Sequence, residues 1–398
     1  MMQVYLDNNA TCVVAPEVIE AMQPFFSTLY GNASSMHSFG GQVAKHIEKA
    51  RADVAALLNC APEEIIFTSC GTESDNHAIR GIFDAFPEKK HFVTTKVEHP
   101  AVLSVGKYLI EKGYRVTELK VDKQGNIDLN ELKAAISPDS GLVSIMFANN
   151  ETGTIFPIEE IGTICREKGV LFHTDAVQAA GKIPLDLKKL PVDLLSISGH
   201  KLHAPKGIGV LYVRRGTRLH PFIIGGHQER HRRAGTENVP YIVGLGRACR
   251  LAVDAMFEEN NRVRFLRDKL EKGLMSTIPF SYLNGNPLWR LPNTSNIGFE
   301  FIEGEAILLH LSAVGIAASS GSACTSGSLE PSHVLMAMGV PFSYAHGSTR
   351  FSLSRYTTEE EVDYVLKVLP GIVANLRDMS PFYTKEVREK AKVFFAGA

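Results

Sequence analysis

Much that would mark a specialised protein is missing from this chain of 398 residues. Its six cysteines, at 12, 60, 70, 165, 249 and 324, include no CxxC pair, which argues against a disulfide framework or a structural zinc site and fits a reducing cytoplasm. Lys and Arg number 42 against 43 Asp and Glu, so the net charge is −1 and no basic face is offered to nucleic acid or to an anionic membrane. No apolar run approaches a membrane span, and the opening "MMQVYLDNNATCVV" has neither the basic nor the apolar region of a signal peptide. There is no internal repeat, no low-complexity tract, no GxxxxGK[ST] loop and no GxGxxG fingerprint. What remains is an ordinary globular composition, 44% hydrophobic and 21% charged, in a chain long enough to predict two domains.

Between residues 60 and 215, short β-rich runs alternate with amphipathic helical stretches. The runs are "EIIFTS", "HFVTTKVE", "LVSIMFA", "VLFHTDA", "LLSIS" and "GVLYVRR". This alternation predicts an α/β domain with a largely parallel sheet. A long helical pattern starts near Tyr241, and mixed elements follow it, including "TSNIGFEF", "STRFSLS" and a helix capped by "TTEEE". The expected division is a large domain over 17–255 and a smaller α+β domain made of 1–16 and 256–398.

Ligands of such sheets gather outside the carboxyl ends of the strands. Read there, "IIFTS" runs into "CGTESDN" and "FVTTKVE" ends at His99. "VSIMFA" ends at Asn149 and Asn150, "VLFHT" at Asp175 with Gln178 one turn on, and "LLSIS" at His200 and Lys201. Each residue alone reads as a turn former, a cap or a solvated side chain. Five strand ends that all carry polar groups weaken that reading. "FTSCGTESDN" is a strand, a small-residue turn and a helix start, where Gly71 permits close approach and Thr72 adds a hydroxyl to an anion site. A phosphate site with a lysine, an aspartate and a histidine around it suggests pyridoxal phosphate. The lysine would form the Schiff base, and the carboxylate would keep the pyridine nitrogen protonated.

One further feature stands apart. Cys324 lies in "AASSGSACTSGSLEP", residues 317–331, among small and hydroxyl side chains that cannot cover it. Free cysteines are usually buried. Gly321 and Gly327 bracket it, so the composition predicts a mobile loop, about 319–333, whose thiol travels to its reaction.

Taken together, "YLDNNAT", "VEHPAV", "ANNETG", "HTDAVQAAGK", "SGHKLHAPKGIG", "RAGTEN" and "SSGSACTSGSLEPSHVL" resemble the cysteine desulfurases of the NifS and IscS type over nearly the whole chain. The resemblance implies the aspartate-aminotransferase-like fold of pyridoxal 5′-phosphate enzymes. It implies an activity that converts L-cysteine to L-alanine and leaves a persulfide on Cys324. By the same resemblance Lys201 would carry the cofactor, His99 would stack on its ring, Asp175 would pair with the pyridinium and Gln178 would face the ring hydroxyl. Thr72, Ser198 and His200, at the Gly71 turn, would hold the phosphate, with Thr236 reaching in from the partner subunit of a homodimer. Asn149 and Arg350 would bind the substrate carboxylate. No permanent metal is implied, although Cys324 could serve as a transient iron–sulfur ligand. The sulfur acceptor would be an iron–sulfur scaffold protein, and the wording of "GTESDN" and "SGSLEPSHVL" leans towards the nitrogen-fixation branch. Cys12, Cys70 and Ala33 depart from the usual threonine, glycine and proline. Two other readings stay open at this point. One is another pyridoxal phosphate enzyme of the same fold, an aminotransferase or a selenocysteine lyase; the other is a non-catalytic sulfur or iron–sulfur scaffold.

Overall fold

A computed structural model describes residues 2–320 and 331–396. In chain order its strands are β1 (Val4–Tyr5), β2 (Ile65–Thr68), β3 (His91–Thr95), β4 (Arg115–Leu119), β5 (Ser140–Ser144) and β6 (Leu171–Asp175). They continue with β7 (Leu194–Ser198), β8 (Gly209–Val213), β9 (Ser281–Asn284), β10 (Thr294–Phe299), β11 (Ile316–Ala317) and β12 (Ser348–Ser352).

Seven of these form one sheet in the order β2-β8-β7-β6-β5-β3-β4. The pairings from β7 through β6, β5 and β3 to β4 are parallel, while β8 runs antiparallel to both β7 and β2. The carboxyl ends of β2, β3, β5, β6 and β7 therefore face one edge. Helices cover both faces, so the strands read as near-continuous apolar runs whose neighbours part to opposite sides. Ile66, Phe92, Leu142 and Leu194 enter one core beneath helices Gly71–Ala85 and Pro100–Glu111. Ile65, Val93, Val143 and Leu195 enter the other, with Ile161 and Cys165 of helix Ile158–Glu167. The edge strand β4, "RVTEL", is absent from the runs identified in the sequence. Only Leu119 of its five residues is buried, so no apolar run marks it.

A second body holds the antiparallel sheet β12-β10-β9 and the parallel pair β1-β11. Its core joins Val4, Leu6, Ile297, Phe299 and Phe351 to Val362, Val365 and Leu369 of helix Glu359–Met379. The 39-residue helix Val239–Thr277, about 58 Å long at 1.5 Å per residue, serves both cores. Ile242 and Leu245 pack in the first, and Val263, Leu266, Leu270 and Leu274 in the second. Gly246 lets this helix lie against helix Ser38–Leu58, because a Cβ there would stand 2.6 Å from the Ala50 Cα.

Two stretches do not follow the expected division of the chain. Val334, Leu335, Met338 and Ala345 pack into the larger body's core although they lie within 256–398. At the other end Val4 and Leu6 sit in the smaller core and Ala15 and Val18 in the larger, so the strip between them crosses from one body to the other.

Candidate active site

At the shared edge of the sheet lies a cavity of about 330 Å³. Each strand end contributes to it. After β2, Cys70, Gly71 and Thr72 open helix Gly71–Ala85; a Cβ on Gly71 would come within 2.9 Å of Val177 and 3.3 Å of Ser198, so glycine is needed for the turn to close on β7. After β3 comes His99, the N-cap of helix Pro100–Glu111. Its Nδ1 accepts the Ala101 N–H at 3.1 Å, which leaves Nε2 to carry the proton of the neutral ring. Asp175 ends β6, and its Oδ1 accepts the Val177 N–H at 2.9 Å. Ser198 ends β7, followed by His200 and Lys201 on a single helical turn. Arg350 enters from β12 of the other body.

The floor of the cavity is rich in buried acids. Burial pushes Asp175 up to about 6, against the pull of the Val177 N–H and the nearby Lys201. Asp75, 1% exposed and lining the same cavity, is pushed well up by burial and by the Asp175 charge. Just behind them, burial raises Glu98 to about 8 even though its Oε1 accepts from the Thr95 hydroxyl and the Met146 N–H. Asp75 Oδ1 and Glu98 Oε2 have no hydrogen-bond partner among the described residues. His173 bridges Ser144 and Ser196 at 2.8 and 3.0 Å, and burial lowers it to about 3, so it is neutral. His99 is also neutral, lowered to about 4 by burial and then by Lys201 and His333. Carboxyls crowded in this way cannot all ionise without a cation to face them. A cationic group bound beside Asp175 would suit such a floor.

The strip Asp7–Cys12 forms the wall between the two bodies, and the sequence reading gave it no role. The Asn9 carbonyl accepts both Lys201 Nζ at 2.6 Å and Gln178 Nε2 at 3.0 Å, and the Ala10 carbonyl accepts Lys201 Nζ at 2.6 Å. Lys182 donates to Gln178 Oε1 at 3.1 Å, and burial lowers this lysine to about 8. Thr11 Oγ1 lies 3.1 Å from His200 Nδ1. Arg350 Nη2 meets Asp7 Oδ1 at 2.8 Å, and Nη1 donates to the Asn150 carbonyl at 3.0 Å.

The candidates Gly71, Thr72, His99, Asp175, Gln178, Ser198, His200, Lys201 and Arg350 all line this one cavity. Asn149 does not. β5 stops at Ser144, and the Asn149 side chain is spent within its own loop, accepting from Glu151 N, Thr152 N and the Thr152 hydroxyl and donating to the Val97 carbonyl. Its neighbour Asn150 is the residue at the cavity. Thr236 is exposed and borders a separate hollow of about 200 Å³ with Ser69 and Arg233. Cys324 lies outside the described residues. The described flanks of its segment both reach the cavity's surroundings. Ser319 pairs main chain to main chain with Arg350, the Ser332 hydroxyl meets Glu151, and His333 Nε2 lies 3.0 Å from the Glu98 carbonyl. Asn9, Asp75 and Lys182 went unnoticed in the sequence. "LDNNAT" and "QAAGK" contained two of them, and Asp75 sits one helical turn past Gly71.

Residues 4–365 match the family model for class-V aminotransferases. The chain is 60% identical over 386 residues to a cysteine desulfurase of Trichormus azollae, covering 97% of this chain and 96% of that one. It is 57% identical over 397 residues, 99% of each, to the cysteine desulfurase NifS of Azotobacter vinelandii. Among solved structures, a NifS-like protein superimposes with a TM-score of 0.89 at 44% identity, covering 94% of this chain and all of that one.

Proposed function

The chain belongs to the class-V aminotransferase family, and we propose that it works as a cysteine desulfurase, converting L-cysteine to L-alanine and passing the sulfur on as a persulfide. The observation that carries this reading is the gathering of Lys201, Asp175, His99 and Arg350 from two bodies around one cavity that opens with a helix N-terminus. Pyridoxal 5′-phosphate fits these groups. The helix start at Gly71 and Thr72, with Ser198 and His200, suits a phosphate; Asp175 suits a protonated ring nitrogen; and Lys201 is the amine for its aldehyde. When bound, the cofactor supplies an electron sink for the pair released at the substrate Cα.

The chain's own residues then divide the work. Arg350 holds the substrate carboxylate by charge-assisted hydrogen bonds. Lys201, freed from the carbonyls of Asn9 and Ala10, takes the Cα proton. Neutral His99 carries a proton on Nε2 and would stack on the cofactor ring. Asp175 would keep the ring nitrogen protonated, and Gln178, braced by Lys182, would hydrogen-bond the ring hydroxyl. The thiolate of Cys324 attacks the substrate sulfur; the S–S bond forms as the C–S bond breaks, the carbon fragment departs at the enamine level, and protons added at Cβ and Cα make it alanine. Acceptors of the persulfide are scaffold proteins that assemble iron–sulfur clusters, those serving nitrogenase foremost, given the NifS relative. Thr236, exposed on its own chain, is available to complete a second copy's phosphate site in a homodimer. Among the described residues no helix is long and apolar enough to cross a membrane.

Purified protein given pyridoxal phosphate, L-cysteine and a dithiol should release alanine and sulfide in equal amounts. A keto acid in place of alanine would identify an aminotransferase instead. Mapping of ³⁵S-labelled peptides should place the persulfide on Cys324. Label on Cys70 or Cys12, with a Cys324→Ala enzyme still active, would overturn the assignment of the acceptor thiol.

A further inference from the structure

We propose that Asp7 is a positioning residue, one that fixes the Arg350 guanidinium so that its remaining N–H groups are presented to the substrate carboxylate. The proposal rests on the reading of Arg350 as the substrate's anchor and adds to it the group that aims the anchor.

A guanidinium has five N–H donors, one on Nε and two on each η nitrogen. In this site each η nitrogen spends one. Nη2 donates to Asp7 Oδ1 at 2.8 Å and Nη1 to the Asn150 carbonyl at 3.0 Å. Nε is buried without a partner among the described residues. One N–H on each η nitrogen is therefore left over, and Arg350 lines the cavity in which a substrate would lie. A carboxylate binds best to two donors presented side by side, so the two acceptors already in place determine which way that pair faces.

Asp7 is itself held firmly. It forms a parallel bridge with Ser352, two residues along Arg350's own strand, and the next residue, Asn8, donates both its N–H and its Nδ2 to the Ser352 carbonyl. Asn9 ties the same strip to the second acceptor, since its Nδ2 donates to the Asn150 carbonyl at 3.0 Å. Both groups that orient the arginine thus belong to one connected framework. The Asp7 side chain is 20% exposed and that of Arg350 3%. The Asp7 carboxylate thus keeps some contact with solvent where the guanidinium has almost none, and its effect on an incoming carboxylate is what the KM of the variants measures.

Holding one long side chain in its binding rotamer is worth about 0.5–1.5 kcal/mol, or roughly two- to thirteenfold in affinity. Asp7→Ala should therefore raise the KM for cysteine by about two- to thirteenfold, with kcat changed by less than about twofold and the bound cofactor's absorbance unaltered. Asp7→Asn keeps an oxygen acceptor for Nη2 and should restore KM to within about twofold of the unsubstituted enzyme. Arg350→Ala is measured alongside. If it raises KM while Asp7→Ala leaves KM unchanged or lowers it, Asp7 is a bystander or a competitor and the proposal fails. If Asp7→Ala and Asp7→Asn both lose cofactor absorbance and kcat together, the role is structural and the proposal also fails. If Arg350→Ala leaves KM unchanged, the anchor reading itself falls and takes this proposal with it.

Discussion

Two buried arginines, one on a helix of the larger body and one on β12 of the smaller, are treated very differently. Arg51 on helix Ser38–Leu58 has all three of its nitrogens hydrogen-bonded. Nη1 and Nη2 form a double contact with Glu229 at 2.9 Å, Nη1 also reaches the Ile65 carbonyl, and Nε reaches Glu48. Glu229 in turn accepts the Phe67 N–H, and it sits in a left-handed stretch with Arg230 and His231, at φ of 47°, 57° and 64°. Arg350 is as deeply buried but has single contacts and an unpartnered Nε. The acids follow the same division, Glu229 fully engaged and Asp75 and Glu98 each with an oxygen unanswered. Buried polar groups in folded proteins are normally satisfied. Atoms without a partner occur elsewhere among the described residues as well, at His77, Glu237 and Arg290 for instance, but Asp75 and Arg350 are the two that line the cavity, where a ligand could complete them.

This difference can be broken by substitution. Changes on the open side should alter chemistry while sparing stability, and changes on the closed side should do the reverse. The largest effect is expected for Lys201→Ala, which should abolish the visible absorbance of bound cofactor and lower alanine formation by at least about 10³-fold, with little change in Tm. Retained turnover would mean that another lysine serves. Asp175→Asn should lower kcat by about 10²–10³-fold while cofactor still binds through its phosphate, as spectrophotometry and alanine assay would show. On the closed side, Arg51→Ala strands a buried Glu229 and should cost about 3–5 kcal/mol in denaturant unfolding, with kcat per folded molecule nearly unchanged. A loss of kcat without a loss of stability there would dissolve the distinction.

The smallest effect sharpens the comparison rather than testing it outright. Glu98 has a folded value of about 8 against about 4.3 unfolded, so the folded state binds a proton that the unfolded chain releases. Its penalty to stability is absent below about pH 4 and grows as pH rises through about 8. Cofactor-free protein should therefore lose Tm between pH 6 and 8, and Glu98→Gln should flatten that slope. An unchanged slope would assign the proton to Asp75 or Asp175.

Much of this site could be read from the sequence, for a simple reason. A parallel strand buried on both faces is a run of apolar residues, and the polar residues at or just beyond its carboxyl end stand at the ligand edge. Asp175 at the end of β6, and His99 and Lys201 a few residues past β3 and β7, are candidates by that rule, and all three line the one cavity. It misplaced Asn149 because β5 ends at Ser144, and the residues between follow a loop rather than the strand's alternation. It overlooked β4, whose exposed residues break any apolar run. It had no access to Asn9 and Ala10, which act through carbonyls that every residue possesses, nor to Asp7, whose partner is remote in sequence.

That remoteness has a consequence for how the enzyme is made. Asp7 and Arg350 are separated by 343 residues, and the same cavity uses groups from both ends of that interval. At ribosomal rates of about 5–20 residues per second, the strip carrying Asp7 waits roughly 17–70 s for its partner strand to emerge. During that time the larger sheet can fold with Lys201 and Asp175 in place, but one wall of the pocket has yet to be synthesised. By then the chain has made Lys201, Asp175, His99, Gln178 and the Gly71 turn, the groups proposed to hold the cofactor, whereas Arg350, the proposed anchor of the substrate, arrives only with β12.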